Sequence, residues 1–303
     1  MEFLLDKTQF RAYLAWVSIC IVWGTTYLAV KIGIKDLPPM LFTGIRWFIA
    51  GPTLLLFLIF RKMELPPKSE IKNLIVIGIM LIGLSNGFLV YAQKWVPSGL
   101  SSLLITTLPF WIVSIESFLP DKPNLNKYIF GGLIIGFFGV SLIFFSEIGT
   151  IFNPGYLTGI LFILASIWVW SSGSIYAKYK KFNSHPLMRA SIQMITAGIL
   201  QIIIGLILGE QNEFTLSEKG IYAMIYLIIF GSFLGYVAYI YAISILPVSF
   251  VSTYSYINPV IALFLGWYYL NEKIDLTTIM GSIVILLGVA LVQYGSRKNL
   301  KKA

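Results

Sequence analysis

Residues 84–97 read LSNGFLVYAQKWVP, and residues 234–247 read LGYVAYIYAISILP. Leu, a Tyr-Ala pair and Pro recur at the same spacing, 150 residues apart. The match continues outward. Pro109 follows Pro97 by twelve residues, and Pro259 follows Pro247 by twelve. Gly132 and Gly139 stand seven apart, as do Gly281 and Gly288, at an offset of 149. Working backward, WGTTYLAVK from Trp23 lies over WSSGSIYAK from Trp170 at an offset of 147. Pro39 and Ala50-Gly51 lie over Pro186 and Ala197-Gly198 at the same offset. Ordered self-similarity of this length marks a tandem duplication, with halves at 1–150 and 151–303.

Composition sets the class. The 303 residues are 57% apolar and 12% charged, with a mean hydropathy of +0.83, where soluble domains carry about 25% charged residues. A water-soluble fold of this length cannot hide so much apolar surface; a bilayer can accept it. Ten apolar segments of about twenty residues can each cross a ~30 Å core. They lie near 12–33, 39–60, 71–93, 99–119, 127–146, 156–178, 186–208, 219–243, 248–270 and 276–294. Pro, Gly and Asn punctuate the short connections, and no soluble domain is inserted. The apolar run of the N-terminus is too short for a cleaved signal, so the first span is expected to be retained. The expected fold is all-α: ten transmembrane helices.

Five spans per half is an odd number, so the second half enters the membrane inverted relative to the first. This is the inverted-repeat plan of many secondary transporters, built around a central cavity. Lys and Arg orient it. With the N-terminus inside, sixteen Lys and Arg fall on the cytoplasmic side and five outside: Lys31, Lys35, Lys94, Lys219 and Lys273. Both termini are then cytoplasmic, and the location is the cell (inner) membrane. The net charge of +9 is read as this topology signal, not as a nucleic-acid surface. Lys31 and Lys178, ending counterpart helices, can snorkel to opposite interfaces.

At these residues the chain resembles the EamA-like family of the drug/metabolite transporter superfamily. The likeness rests on Trp23-Gly24-Thr25, the Pro109 and Pro259 spans, the Asn271-Glu272-Lys273 turn, and the closing Gly132–Val140 and Gly281–Val289 motifs. The resemblance implies ten helices around a cavity and transport of small metabolites. One departure stands out: the Glu usual after the fourth span is replaced by Asp121-Lys122-Pro123, and that Glu reads as a structural loop residue.

Candidate residues follow from polarity at membrane depth. Pro109 and Pro259 remove a donor and crowd the carbonyl four residues back. They free carbonyls near Ile105 and Ser255, as helix breaks on a substrate path or as packing kinks. Thr107 and Asn258 flank them. Asn86 and Tyr236 share one repeat position, as do Trp23 and Trp170, and aromatics with a few polar groups suit an amphipathic metabolite. Trp16, Trp47, Trp95 and Trp267 read as belt or packing residues. Arg46 lies about 10 Å into its span, where an unpaired Arg costs roughly 2.5–3.5 kcal/mol. It is a possible partner for a substrate charge, or it snorkels. Glu116 is a second possible charge partner, as a proton relay or an inner-leaflet snorkel. Spans one, three, four, six, eight and nine are expected to surround the cavity, with five and ten at the periphery. Gly231-x3-Gly235 and Gly132-x3-Gly136 read as intramolecular packing.

The expected activity is alternating-access transport of amino acids or related amphipathic compounds, as an exporter. A passive channel or facilitator is the alternative. A membrane-embedded enzyme fits less well, because such enzymes cluster His, Asp, Glu or Cys, and this chain has one His and one Cys. No cofactor, metal or nucleic acid is expected. The partners are the substrate and the bilayer; oligomeric state is not specified.

Overall fold

The computed structural model describes residues 7–119, 126–146 and 153–300. Asp121-Lys122-Pro123 lies outside the described residues, as do the charges at Lys122, Lys301 and Lys302. Every regular element among those described is helical. Helix α1 is Lys7–Gly33, α2 Pro39–Phe60, α3 Lys68–Ala92 and α4 Ser98–Glu116. Helix α5 is Lys127–Ser146, α6 Pro154–Tyr179, α7 Pro186–Ile207 and α8 Glu218–Ile245. Helix α9 joins Val248–Val251 to Tyr254–Leu270, and α10 is Leu276–Leu300. By length and composition seven of these can cross a membrane: α1 to α4 and α6 to α8. The chain is a multi-pass membrane protein.

Local chemistry sets the helix ends. Pro39, Pro154 and Pro186 open α2, α6 and α7, where a missing N–H costs nothing. Asn153 Oδ1 and Ser217 Oγ accept from Gly155 N and Gly220 N at 3.1 and 3.0 Å. Such a side-chain cap contributes about 1 kcal/mol. Carboxylates from the opposite half cap other ends. Glu210 accepts from Met40 N and Leu41 N at 3.2 and 2.8 Å. Glu272 accepts from Ser98 N at 3.0 Å and Gly99 N at 3.1 Å, and Ser98 Oγ donates to it at 2.7 Å. The Asn271-Glu272 turn is therefore structural: Asn271 takes the left-handed conformation that closes α9, and Glu272 pins the start of α4.

The packing is unchanged when each helix is exchanged for its repeat counterpart. Helix α2 packs on α7 and α5 on α10; α1 packs on α8 and α9, as α6 packs on α3 and α4. Glycine lets backbones meet at both central seams. A Cβ on Gly198 would lie 2.5 Å from Phe48 N of α2. One on Gly288 of α10 would lie 2.6 Å from Gly136 N and 2.7 Å from Gly132 O of α5. The glycine motifs thus pack within the chain, and α5 and α10 pack chiefly on each other, away from the core. Phe137, Phe138 and Leu287 on their outer faces are 59–66% exposed, a surface that suits lipid and not water.

Two departures from regular helix sit at matching places. Residues 79–86 of α3 and 227–236 of α8 are π-helical, a geometry frequent at functional sites. The carbonyls there find side chains from the other half. Gln201 Nε2 of α7 donates to Ile82 O and Gly83 O at 2.9 and 3.0 Å. Trp23 Nε1 of α1 donates to Gly231 O at 3.2 Å.

The proline expectation is corrected in part. Helix α4 is interrupted at Thr106-Thr107, with Pro109 in the first turn of its second piece. Helix α9 is interrupted at Ser252-Thr253 instead, and Pro259 lies inside the continuous helix Tyr254–Leu270. Its missing N–H is absorbed there without a break.

Candidate functional site

A cavity lies among α1, α2, α3, α4, α6, α8 and α9, with about 80 Å³ open to the centres of water-sized molecules. One water needs roughly 10–15 Å³ by that measure, so several waters or part of a small organic molecule fit. One end of it is aromatic. The Trp23 ring stands edge-to-face on Trp170 at 5.5 Å and on Tyr254 at 5.0 Å, and is tilted against Tyr239 at 5.4 Å. Such pairs add about 0.5–1.5 kcal/mol beyond their buried area. They fix the ring that Gly231 O already holds.

The cavity reaches toward the Lys31 end of the bundle, where Val30, Val90 and Gln93 border it. The repeat counterparts of Val90 and Gln93 are Ile240 and Ile243, which do not border it. The cavity wall is thus unequal toward the two ends. The two lysines do the same local job at the two ends. Lys31 Nζ donates to Gln93 O and Val96 O at the end of α3. Lys178 Nζ donates to Ile243 O at 3.1 Å and Leu246 O at 2.9 Å at the end of α8. Each caps orphan carbonyls, a favourable use of a cation at a helix C-terminus.

Of the residues singled out in the sequence, Trp23, Asn86, Trp170, Tyr236, Asn258 and Arg46 border the cavity. Thr107 does not: its hydroxyl donates to Leu104 O at 2.9 Å, while Ile105 and Leu108 of the same helix take the wall position. Glu116 is buried near Lys178, off the cavity. Pro109 and Pro259 stand behind the wall. The Asn258 amide faces backbone carbonyls: oriented with its nitrogen toward them, as the surrounding acceptors require, it donates to Cys20 O at 2.8 Å and Tyr254 O at 3.1 Å. The Tyr236 hydroxyl is likewise taken, by Gln193 Oε1.

Several wall residues escaped the sequence reading, Trp47, Gln93 and Tyr254 among them. Trp47, read there as belt or packing, is 3% exposed; its Nε1 donates to Asn86 Oδ1 at 3.2 Å. The Arg46 guanidinium lies 4.1 Å from the centroid of the Trp47 ring. Gln93 Oε1 is buried without a hydrogen-bond partner, and Tyr254 stands against Trp23. The signal for Trp47 was its adjacency to Arg46: a buried cation needs a neighbour, and an aromatic face is one.

Helices apolar enough for a bilayer, packed in matching pairs around an aromatic-walled cavity, define a polytopic membrane protein. The comparisons place it further. The EamA-like transporter family matches residues 10–145 and again 157–294. The chain belongs to that family. It is 30% identical to the "Uncharacterized inner membrane transporter YedA" of Escherichia coli (strain K12), over 93% of this chain and 90% of that one. It is 29% identical to the "Uncharacterized transporter YoaV" of Bacillus subtilis (strain 168), over 92% of this chain and 95% of that one. A solved crystal structure at 20% identity covers 95% of this chain and 98% of its own, with a TM-score of 0.73, a likeness of fold.

Proposed function

We propose that this chain is a secondary-type transporter that exports small amphipathic metabolites, amino acids or related compounds, by alternating access. In this reading ten helices cross the cell (inner) membrane as two inverted five-helix repeats, 1–150 and 151–303, with both termini cytoplasmic. The carrying observation is the cavity itself. Its wall takes repeat-related residues from both halves, Trp23 with Trp170 and Asn86 with Tyr236, and it reaches toward one end only. A site lined by both repeats, on a pseudo-two-fold in this reading, is what alternating access uses. With the N-terminus inside, the Lys31 end, toward which the cavity extends, is external. A transporter of this kind needs neither metal nor cofactor.

The test is a metabolite-accumulation profile of cells with and without the protein, followed by uptake into liposomes carrying purified chain. Trp170→Ala should cut uptake of whatever compound the profile names. Unchanged uptake in that variant would move the path elsewhere. A cytoplasm-only reporter fused after Ala303 should be active; silence there refutes the orientation.

A further inference from the structure

We infer that the cavity binds its ligand by a carboxylate, held by Arg46, and so selects small organic acids or amino acids on an apolar or aromatic body over amines and amides. This rests on the cavity being the transport site. The first observation is charge. Among the described residues Arg46 is the single charged one on the wall, and no carboxylate of theirs borders the cavity. Arg46 is 3% exposed, and no acidic side chain among the described residues acts on it. A buried cation without a counter-ion is costly in a membrane, and an incoming anion removes that cost.

The second observation is that the guanidinium is built in place. Nε donates to Ser232 Oγ at 3.0 Å, and that hydroxyl itself donates to Leu227 O at 3.2 Å within the π-helical stretch. The Trp47 ring backs the cation. Gly231 leaves room for it: a Cβ there would lie 2.5 Å from Nη2. Ser232 takes only Nε, which leaves the terminal N–H groups to meet a ligand. Paired guanidinium N–H groups match a carboxylate bidentately. Asn86 also borders the cavity; its Oδ1 is taken by Trp47 Nε1, which leaves its amide nitrogen as a second donor. The Trp23 and Tyr254 rings then face the apolar remainder of the ligand.

Three of the wall residues are tryptophans, Trp23, Trp47 and Trp170, so intrinsic fluorescence of the purified full-length chain reports binding. The probes are 3-phenylpropionate and phenylalanine, each against its primary amide. Charge-assisted hydrogen bonds contribute about 1.5–3 kcal/mol, so the acids should bind about tenfold to a hundredfold more tightly than the amides. Arg46→Gln should erase that preference. Gly231→Ala keeps the charge but pushes the guanidinium aside, and should weaken acid binding while the chain still elutes and melts as a folded protein. Amides that bind as well as acids, or a preference that survives both substitutions, would overturn the inference and leave the cavity as the transport site. Absence of any acid-induced change in the unsubstituted chain overturns it as well. If Trp170→Ala also leaves liposome uptake intact, the transport reading of the cavity falls with it.

Discussion

Tyr236 and Gln193 are joined by a 2.7 Å hydrogen bond, the phenol donating to Oε1, and each side chain is only 1% exposed. The bond ties α8 to α7 behind the cavity, so Tyr236 offers its ring face to the cavity while its hydroxyl is spent on structure. Tyr236→Phe leaves a buried amide oxygen unpaired, at a cost of about 1–3 kcal/mol. The purified variant should melt several degrees lower yet keep the ligand preferences of the parent. A change in preference with no loss of stability would mean the hydroxyl meets the ligand.

The α5–α10 seam predicts a different failure. Gly288 faces backbone atoms of Gly132 and Gly136, which cannot yield as a side-chain end can. Gly288→Val should part the two helices and reduce the yield of folded protein sharply. Ligand binding by the fraction that does fold should be close to normal, because neither helix borders the cavity. Normal yield and thermal stability would show that the seam opens without cost.

Water access can be mapped with single cysteines in a Cys20→Ser background and a small polar thiol reagent. Cysteine at Asn86 or Gln93 should react and be protected by ligand. Cysteine at Thr107 or Gly136 should not, since neither borders the cavity. Labelling at Thr107 equal to that at Asn86 would place the path through the α4 break, on the side facing away from the cavity.

The lysine caps act at opposite ends, so their removal should act at different places. Lys178 latches α6 to the end of α8 through two carbonyls. In Lys178→Met, a cysteine at Ile240 should gain labelling by about tenfold or more, the loss of charge-assisted bonds worth 1.5 kcal/mol or above. Lys31→Met should leave Ile240→Cys silent. Equal labelling in both variants would remove the latch role from Lys178.

Much of this arrangement is legible in the chain, and the limits have physical causes. Apolar length alone locates the helices, and the repeated Tyr-Ala and Pro spacings pair α3 with α8. The peripheral place of α5 and α10 follows from Gly and aliphatic residues with scarcely a polar group between. What the sequence hides is facing. In a span that is apolar all round, periodicity no longer tells the lipid side from the protein side, so Trp47 and Trp267 read alike. In the structure Trp47 is 3% exposed and Trp267 52%. Nor does Thr107 beside Pro109 reveal that its hydroxyl turns back on its own helix. The π-helical stretches depend on donors such as Gln201, over a hundred residues away, and no local pattern encodes them.

Those stretches give α3 and α8 a spare residue. A wider turn holds one amino acid more than the same rise of α-helix needs, and the flanking segments keep the faces they would have without it. Deleting one residue elsewhere in α3 turns everything after it by about 100° and takes Val90 and Gln93 off the cavity wall. A single deletion between Ile79 and Asn86 should do no such harm. It should return the Ile82 and Gly83 carbonyls to the helix and leave the Gln201 amide without acceptors. The expected product is folded, more helical at this point, and poor at transport; a variant that transports normally would show the surplus residue to be idle.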